Sequence, residues 1–75
     1  MVELVRYIAR SLVEKPDAVD VREVENADSI VIELRVDADD MGKVIGKQGR
    51  IAKAIRTVVK AGSVNSPKPV FVEII

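Results

Sequence analysis

The spacing of apolar residues in the first half of the chain predicts one helix followed by two strands. Over residues 1–14, apolar side chains recur every three or four positions with charged side chains between them, which is typical of an amphipathic helix. Pro16 ends this helix, because the residue before a proline avoids the helical region. The uneven spacing of valines in residues 19–24 predicts a short half-exposed strand with a bulge, and the alternation in residues 30–36 predicts a second strand paired with the first as an antiparallel hairpin.

The second half of the chain predicts two helices joined by a glycine-rich break. A carboxylate at Asp39 or Asp40 is expected to cap a short helix that ends near Ile45, by accepting amide protons at its start. Two glycines within residues 46–49 interrupt the helical path and favour a tight turn. Helical spacing resumes over residues 50–61, so we expect a longer second helix there.

The end of the chain predicts a third strand and, with it, the fold class. Gly62 is expected to end the long helix as its C-cap, and residues 63–69 are expected to form a loop. Residues 70–75 are almost all apolar, which predicts a largely buried strand. The order α-β-β-α-α-β, with a helical crossover before the last strand, predicts an α+β fold in which three helices cover one face of a three-stranded mixed sheet.

Basic and apolar side chains lie on opposite sides of the predicted long helix. At about 100° per residue, its basic positions share one side and its large aliphatic positions share the other. Lys47 lies in the glycine turn at the start of this helix, and Lys43 lies just before the turn. The basic positions are Arg50, Lys53, Arg56 and Lys60, and the aliphatic ones are Ile51, Ile55, Val58 and Val59.

A net charge of zero conceals a strong separation of charge along the chain. Residues 1–40 carry eleven acidic and five basic side chains, whereas residues 41–75 carry one acidic and seven basic side chains. Because salt screens charges beyond about 8–10 Å, a partner responds to the local surface rather than to the sum. The second half of the chain therefore predicts a surface that attracts a polyanion.

The glycine turn and the basic helix together predict a grip on a phosphate backbone. A helix N-terminus presents unpaired amides and partial positive charge, and glycines at 46 and 49 allow a sugar-phosphate chain to approach closely. A nucleotide-hydrolysing P-loop is excluded, because that motif needs four residues between its glycines and Ser or Thr after its lysine. Here three residues separate Gly42 from Gly46, and Gln48 follows Lys47.

The composition argues against an enzyme and against a metal or cofactor. Without Cys or His, the chain has no thiolate nucleophile, no imidazole base and none of the usual zinc ligands, so we expect no catalytic residue. Asp37, Asp39 and Asp40 are assigned to helix capping rather than to a hard cation. No stretch is long enough to cross a bilayer, and charges at Glu3 and Arg6 argue against a signal peptide, which predicts a cytoplasmic protein with no membrane or small-molecule partner.

The glycine turn also resembles the signature of a known family. Residues 44–51, Val-Ile-Gly-Lys-Gln-Gly-Arg-Ile, resemble the Val-Ile-Gly-x-x-Gly motif of KH domains. The element order is similar to the type II arrangement, in which an additional helix and strand (residues 1–25) precede the KH core (residues 29–75). Residues 41–61 are similar to small bacterial single-KH proteins of the KhpA type, and the resemblance covers residues 1–75. It implies one domain whose groove binds about four nucleotides of single-stranded RNA, with single-stranded DNA as an open alternative.

The resemblance implies roles for particular residues. By position, residues 46–49 would clamp the backbone, and Ile45 and Ile51 would form the groove floor with the apolar side chains of residues 30–36. Ala52 departs from the family pattern, since many KH domains have a larger aliphatic residue there. The nucleic-acid contacts predicted from the basic helix and the resemblance together are Lys43, Ile45, Gly46, Lys47, Gln48, Gly49, Arg50 and Lys53.

The resemblance further implies partners and a cellular role. By its resemblance to KhpA-type proteins, the protein is expected to act as an RNA chaperone, to form a homodimer and to pair with a larger Jag-like protein of the KhpB type. In bacteria that have both proteins, the resemblance links the pair to cell-shape and cell-wall control. The alternative is an assembly module in which the fold serves homo- or heterodimerisation and RNA binding is secondary. Tyr7, on the polar side of the first helix, and Val31, which we expect to be exposed, are the candidate contacts for that alternative.

Overall fold

The computed structural model describes all 75 residues and contains three helices and a three-stranded sheet. Strands β1 and β2 are antiparallel, and β2 and β3 are parallel, so β2 is the central strand. This arrangement confirms the predicted α+β fold with a mixed sheet. Each helix is too short or too polar to span a bilayer. The elements are α1 Val2–Leu12, β1 Asp20–Glu25, β2 Ile30–Arg35, α2 Met41–Ile45, α3 Arg50–Gly62 and β3 Val70–Ile74.

The core lies between one face of the sheet and the three helices. The two completely buried side chains of β2, Ile32 and Leu34, alternate along the strand and so point to the same face. The helices meet that face with residues spaced three or four apart, as an amphipathic helix requires. These buried helical residues are Val5 and Ala9 of α1, Val44 of α2, and Ala52, Ile55 and Val59 of α3.

Strand β1 is regular, so the predicted bulge is wrong. Its six residues pair one to one with β2, from Asp20 opposite Arg35 to Glu25 opposite Ile30. Val21 is buried against the helices, whereas Val24 points to the open face of the sheet opposite Val31. The uneven spacing of the valines therefore reflects two faces of one regular strand rather than an inserted residue.

Strand β3 is an edge strand, and the prediction that it is largely buried is wrong. Only Val72 is buried in this strand, and Phe71 is 55% exposed. The helices cover one face of the sheet, so Phe71 on the other face remains in contact with solvent beside Val31. Val31 itself is half-buried rather than exposed, because it lies on the central strand between Val24 and Phe71.

The carboxylates before α2 act differently from the prediction. Asp37, not Asp39 or Asp40, caps the short 3-10 turn that precedes α2, by accepting a hydrogen bond of 2.9 Å from the amide of Asp39. Asp40 is buried and makes no side-chain cap for α2. Its carboxylate instead accepts hydrogen bonds from the amides of Glu14 and Lys15, at 3.2 and 3.0 Å, just beyond the end of α1.

The predicted glycine C-cap at the end of α3 is also wrong. Gly62 belongs to the last turn of the helix, and the capping residue Ser63 has a φ of −112°. A Cβ at Gly62 would lie 3.0 Å from the Cε of Met1. The glycine therefore permits the N-terminus of the chain to pack closely against the end of α3 rather than supplying a left-handed turn.

Candidate nucleic-acid interface

Residues 46–49 form an exposed turn with three positive φ angles between α2 and α3. Gly46 has φ 78° and ψ 171°, Gln48 has φ 59°, and Gly49 has φ 73°. The amide of Gly49 donates a hydrogen bond of 3.1 Å to the carbonyl of Gly46, which closes the turn. Two of the three positive angles fall on glycine, the residue that adopts them without steric cost, so the sequence itself selects this turn.

Gly46 is required for a second reason, which is its contact with the first turn of α3. A Cβ at this position would lie 2.6 Å from the Cγ1 and 2.9 Å from the backbone nitrogen of Ile51. No such contact exists at Gly49, where a Cβ would meet open space. The turn is therefore packed tightly at Gly46 and open at Gly49.

The open side of the turn carries polar groups and an uncapped helix start. Lys47 and Gln48 are exposed, and the side-chain oxygen of Gln48 accepts a hydrogen bond of 3.2 Å from Arg50. Gly49 is the N-cap of α3, and no side chain caps the amides of its first turn. The amide of Arg50 donates to the carbonyl of Lys47, whereas the following amides of the first turn and the positive end of the helix dipole are available to an anion together with Lys47.

The cations of α3 are exposed and free of acidic partners. Arg50, Lys53, Arg56 and Lys60 all lie on the solvent side of the helix, opposite its buried residues. None of them, and not Lys47, takes part in any of the salt bridges of the structure. We call these five side chains the basic face. It combines the turn and the helix in one positively charged surface without internal neutralisation.

Lys43 and Lys68, the other two cations of the second half, are neutralised within the protein. The Lys43 ammonium lies 3.0 Å from a carboxylate oxygen of Glu14 and 3.4 Å from one of Asp40. The bond to Glu14, followed by that to Asp40, raises the pKa of Lys43. Lys68 is 2.7 Å from a Glu25 carboxylate oxygen, and this hydrogen-bonded ion pair lowers the pKa of Glu25.

Two aspartates that precede α2, Asp37 and Asp39, form ion pairs with Lys15. The Lys15 ammonium lies 3.1 Å from a carboxylate oxygen of Asp39 and 3.5 Å from one of Asp37, and these hydrogen bonds raise the pKa of Lys15. No group of three or more acidic side chains is arranged to hold a metal ion. These carboxylates serve the local structure around α2 and do not neutralise the basic face.

The strand that borders the basic face is β3, which corrects the expected groove floor. Ile32 and Leu34 of β2 are completely buried under the helices and offer no surface to a ligand. Ile45 is exposed at the end of α2 and Ile51 is half-buried beside Gly46, so both remain accessible near the turn. The central position of β2 explains the error, because the alternation of residues 30–36 does not reveal which strand lies at the edge.

A groove of about 600 Å³ lies between α3, the loop of residues 63–69 and β3. Arg56 and Lys60 line it on the helix side, and Phe71 and Val72 line it on the strand side. Sequence reasoning placed Arg56 and Lys60 on the basic side of the helix but not among the site residues, and it placed Phe71 in a buried strand. The helical spacing of residues 50–61 was sufficient to place the two cations on the basic side. Residues 70–75 themselves contain no pattern that indicates an edge strand of the sheet.

Comparison with known sequences identifies close relatives over the full chain. A family model described as the KH domain of KhpA/KhpB matches residues 2–74. A protein of Clostridium perfringens called RNA-binding protein KhpA is 64% identical over 75 residues, and both chains are fully covered. A protein of the same name from Caldanaerobacter subterraneus is 61% identical with the same coverage, and one from Aquifex aeolicus is 48% identical over 97% of this chain and 92% of the relative.

Among solved structures, similar backbones occur in Era. A crystal structure of Era from Aquifex aeolicus bound to GDP and AlF4⁻ matches 97% of this chain with a TM-score of 0.66 and 27% identity. The chain spans 28% of that protein. A complex of Era with MgGDPNP and nucleotides 1506–1542 of 16S ribosomal RNA matches with a TM-score of 0.65, and the chain spans 30% of it. Given the family match over residues 2–74 and the full-length relatives, the chain belongs to the KhpA/KhpB family of KH domains.

Proposed function

We propose that this protein binds single-stranded RNA, with the turn of residues 46–49 holding the sugar-phosphate backbone. The observation that carries the proposal is the basic face, in which five exposed cations flank an open glycine turn and lack acidic partners. The relatives are called RNA-binding proteins, and the complex of Era includes a segment of ribosomal RNA. In this proposal residues 1–75 act as one KH domain, with residues 1–25 added to a core of residues 29–75.

The contacts follow from the chemistry of each group. The backbone at Gly49 and the first turn of α3 receive a phosphate, because the space where a Cβ of Gly49 would lie is open and no side chain caps the helix. Gly46, which is packed against Ile51, contributes its backbone to the shape of the clamp. Lys47, Arg50 and Lys53 neutralise phosphates, and Gln48 donates its amide. Ile45 supplies apolar contact for a base. Lys43 supports the site indirectly, since its ammonium is held by Glu14 and Asp40.

A double substitution of the turn tests this proposal. Lys47→Asp/Gln48→Asp places two negative charges where phosphate is expected to lie, so we expect RNA crosslinking in cells to be abolished while the fold is retained, because neither side chain contributes to the core. The matched control is Arg10→Asp/Ser11→Asp, which makes the same change of charge on the exposed side of α1. Undiminished crosslinking of the turn variant, or equal loss in both variants, would contradict the proposal.

We propose three further properties on the ground of family membership. The protein acts as an RNA chaperone, forms a homodimer, and pairs with a KhpB/Jag-like KH protein in post-transcriptional control linked to cell shape and the cell wall. A single small groove is expected to bind RNA with modest affinity. A second RNA-binding chain in the same complex would raise the overall affinity for RNA, because the second contact then forms at a high effective concentration. The family description covers the KH domain of both KhpA and KhpB, so the proposed partner carries a domain of the same family.

Exposed apolar side chains favour a second candidate function, an assembly module in which RNA binding is secondary. Tyr7 is 72% exposed on α1, and Phe71 is exposed on β3. Such residues are common contacts in protein interfaces. If assembly is the primary function, Tyr7→Ser will dissociate the oligomers in analytical ultracentrifugation and will cause a defect in cell shape. The variant Lys47→Asp/Gln48→Asp will then leave both the oligomers and the cell shape unchanged.

A further inference from the structure

The free edge of β3 presents main-chain hydrogen-bonding groups to the groove beside α3. At one end of the parallel pair the amide of Ile30 donates to the carbonyl of Pro69, and at the other the amide of Ile75 donates to the carbonyl of Leu34, each at 2.9 Å. Odd-numbered residues of β3 therefore bond to β2, and the main-chain groups of the even-numbered residues point away from it. Val72 thus directs its N–H and C=O to the side on which α3 lies.

Arg56 crosses from α3 to this edge and is held there. Its Nε donates a hydrogen bond of 3.3 Å to the carbonyl of Val72. A guanidinium has five N–H donors in a rigid plane, so the bond at Nε fixes the plane and leaves the Nη donors for a ligand. No carboxylate pairs with Arg56, although the side chain lines the groove.

The other cations of the basic face have no comparable restraint. Arg50 bonds only to the exposed side chain of Gln48, whose oxygen moves with its own rotamers. Lys53 and Lys60 make no side-chain hydrogen bond, and an ammonium is a point charge without a preferred plane. Arg56 is therefore the one cation of this face whose donors have both a fixed position and a fixed direction.

We propose that Arg56 determines base specificity by selecting bases that present two adjacent hydrogen-bond acceptors. The inference rests on the proposed RNA-binding function and concerns the base that enters the groove. Cytosine offers O2 and N3, and guanine offers O6 and N7, so either accepts two parallel N–H groups. Uracil has an N–H donor between its carbonyl oxygens, and adenine has an amino donor beside N7. Either base would therefore place a donor of its own against one of the two Nη donors of Arg56.

Apolar residues of the loop make the groove suitable for a base rather than for phosphate alone. Val64, which is 76% exposed, lines the groove together with Pro67 and Pro69. An unpaired base gains favourable contact from such an apolar wall while its edge meets polar groups. The groove thus combines an apolar surface with the directed donors of Arg56, whereas the glycine turn offers contacts that are the same for every nucleotide.

The test compares two labelled RNA octamers, all cytidine and all uridine, by fluorescence anisotropy at pH 7.5 and low salt. We expect the wild-type protein to bind the cytidine octamer about 5- to 150-fold more tightly, which is the range for one bidentate arginine–base pair. Arg56→Lys keeps the charge but removes the planar pair of donors. We expect this variant to lose the preference while its salt dependence stays that of the wild type.

Arg50→Lys is the matched control, since it makes the same chemical change at a cation that is not held by β3. It should lower both affinities alike and leave their ratio unchanged. Equal binding of the two octamers by the wild type, or a preference that survives in Arg56→Lys, would overturn the specificity proposal and leave RNA binding in place. Failure of the wild type to bind either octamer would overturn the proposed function itself.

Discussion

Gly46 and Gly49 both have positive φ angles in one turn, but their surroundings differ. Gly46 combines φ 78° with ψ 171°, a region that is nearly restricted to glycine, and lies against Ile51. Gly49 has the ordinary left-handed conformation with open space where a Cβ would be. A side chain is therefore opposed by both strain and overlap at the first glycine, and by strain alone at the second.

We expect Gly46→Ala to destabilise the protein by about 2–4 kcal/mol and Gly49→Ala by about 1–2 kcal/mol. The added Cβ at Gly46 would force the backbone of α3 at Ile51 to move, because the overlap includes the Ile51 nitrogen. Urea unfolding at equilibrium measures both values. Equal losses would mean that the overlap is relieved without cost and that φ alone determines the requirement.

The pair of glycines was evident from the sequence, but the difference between them was not. The spacing of two glycines before a basic helix predicted the turn, since local backbone preferences determine where a helix is interrupted. The contact of Gly46 with Ile51 depends on the angle between α2 and α3, which follows from packing both helices on the sheet. Ala52 illustrates the same point, because its burial, at 5% exposure, follows from how α3 packs and not from its own segment of sequence.

At the scale of elements, one buried carboxylate joins the end of α1 to the start of α2. Asp40 is 1% exposed and accepts the amides of Glu14 and Lys15. Burial by itself raises the pKa of Asp40, but these two hydrogen bonds and the pairing with Lys43 outweigh it, so the pKa is lowered from its ordinary value of 3.8. The folded state therefore favours the ionised form of Asp40 and is stabilised by it.

The lowered pKa determines how stability depends on pH. Because the pKa is lower in the folded state, the contribution of Asp40 is fully present above about pH 4 and is lost as the pH falls through the folded-state value. We expect Asp40→Asn to lower the melting temperature at pH 7. We expect the difference from the wild type to shrink below pH 4, where the wild type also loses the charge. Thermal unfolding between pH 7 and pH 2 measures both effects.

Asp39→Asn is the control for the Asp40 substitution. Asp39 is exposed, and its ion pair with Lys15 is a surface pair of the kind that contributes little to stability. A constant difference between Asp40→Asn and the wild type at every pH would show that ionisation of Asp40 has no part in the effect.

Element types were predictable here, whereas element environments were not. Helical spacing identified α1 and α3, alternation identified β2, and capping, glycine and apolar-run signals identified the other elements, because all of these signals lie within one segment. The bulge in β1 and the burial of β3 were wrong because both depend on neighbours. Val24 is explained by its partner Val31, and the exposure of Phe71 by the absence of a fourth strand and of helices on its face.

At the scale of the whole molecule, folding divides the cations of the second half into free and paired groups. The basic face has five cations without acidic partners, whereas Lys43 and Lys68 pair with glutamates of the first half. Only a free cation can neutralise a phosphate and release the counterion condensed on it, and each phosphate neutralised on a single strand contributes about −0.7 to the slope of log K against log salt. The number of free cations thus predicts the salt dependence.

For three to five phosphate contacts we expect a slope of roughly −2 to −3.5 with single-stranded RNA. Lys53→Gln should make the slope shallower by about 0.7, because it removes a free cation. Lys43→Gln should leave the slope unchanged, because the ammonium it removes is already paired with Glu14 and Asp40. Titrations at four or more salt concentrations measure the slopes. Equal reductions in both variants would mean that Lys43 leaves its carboxylates to contact RNA.

The amino-acid sequence by itself determined the order of elements, the glycine turn and the side of α3 on which cations lie, because each is a property of residues within one or two helical turns or of strand alternation. Tertiary structure decided which cations remain free, that Asp40 is buried beneath the end of α1, and that β3 rather than β2 borders the groove. These features join residues 16 to 43 positions apart, as in the bonds of Arg56 to Val72 and of Lys68 to Glu25. A contact of that separation leaves no periodic trace in either segment, so only the packed fold brings its two partners together.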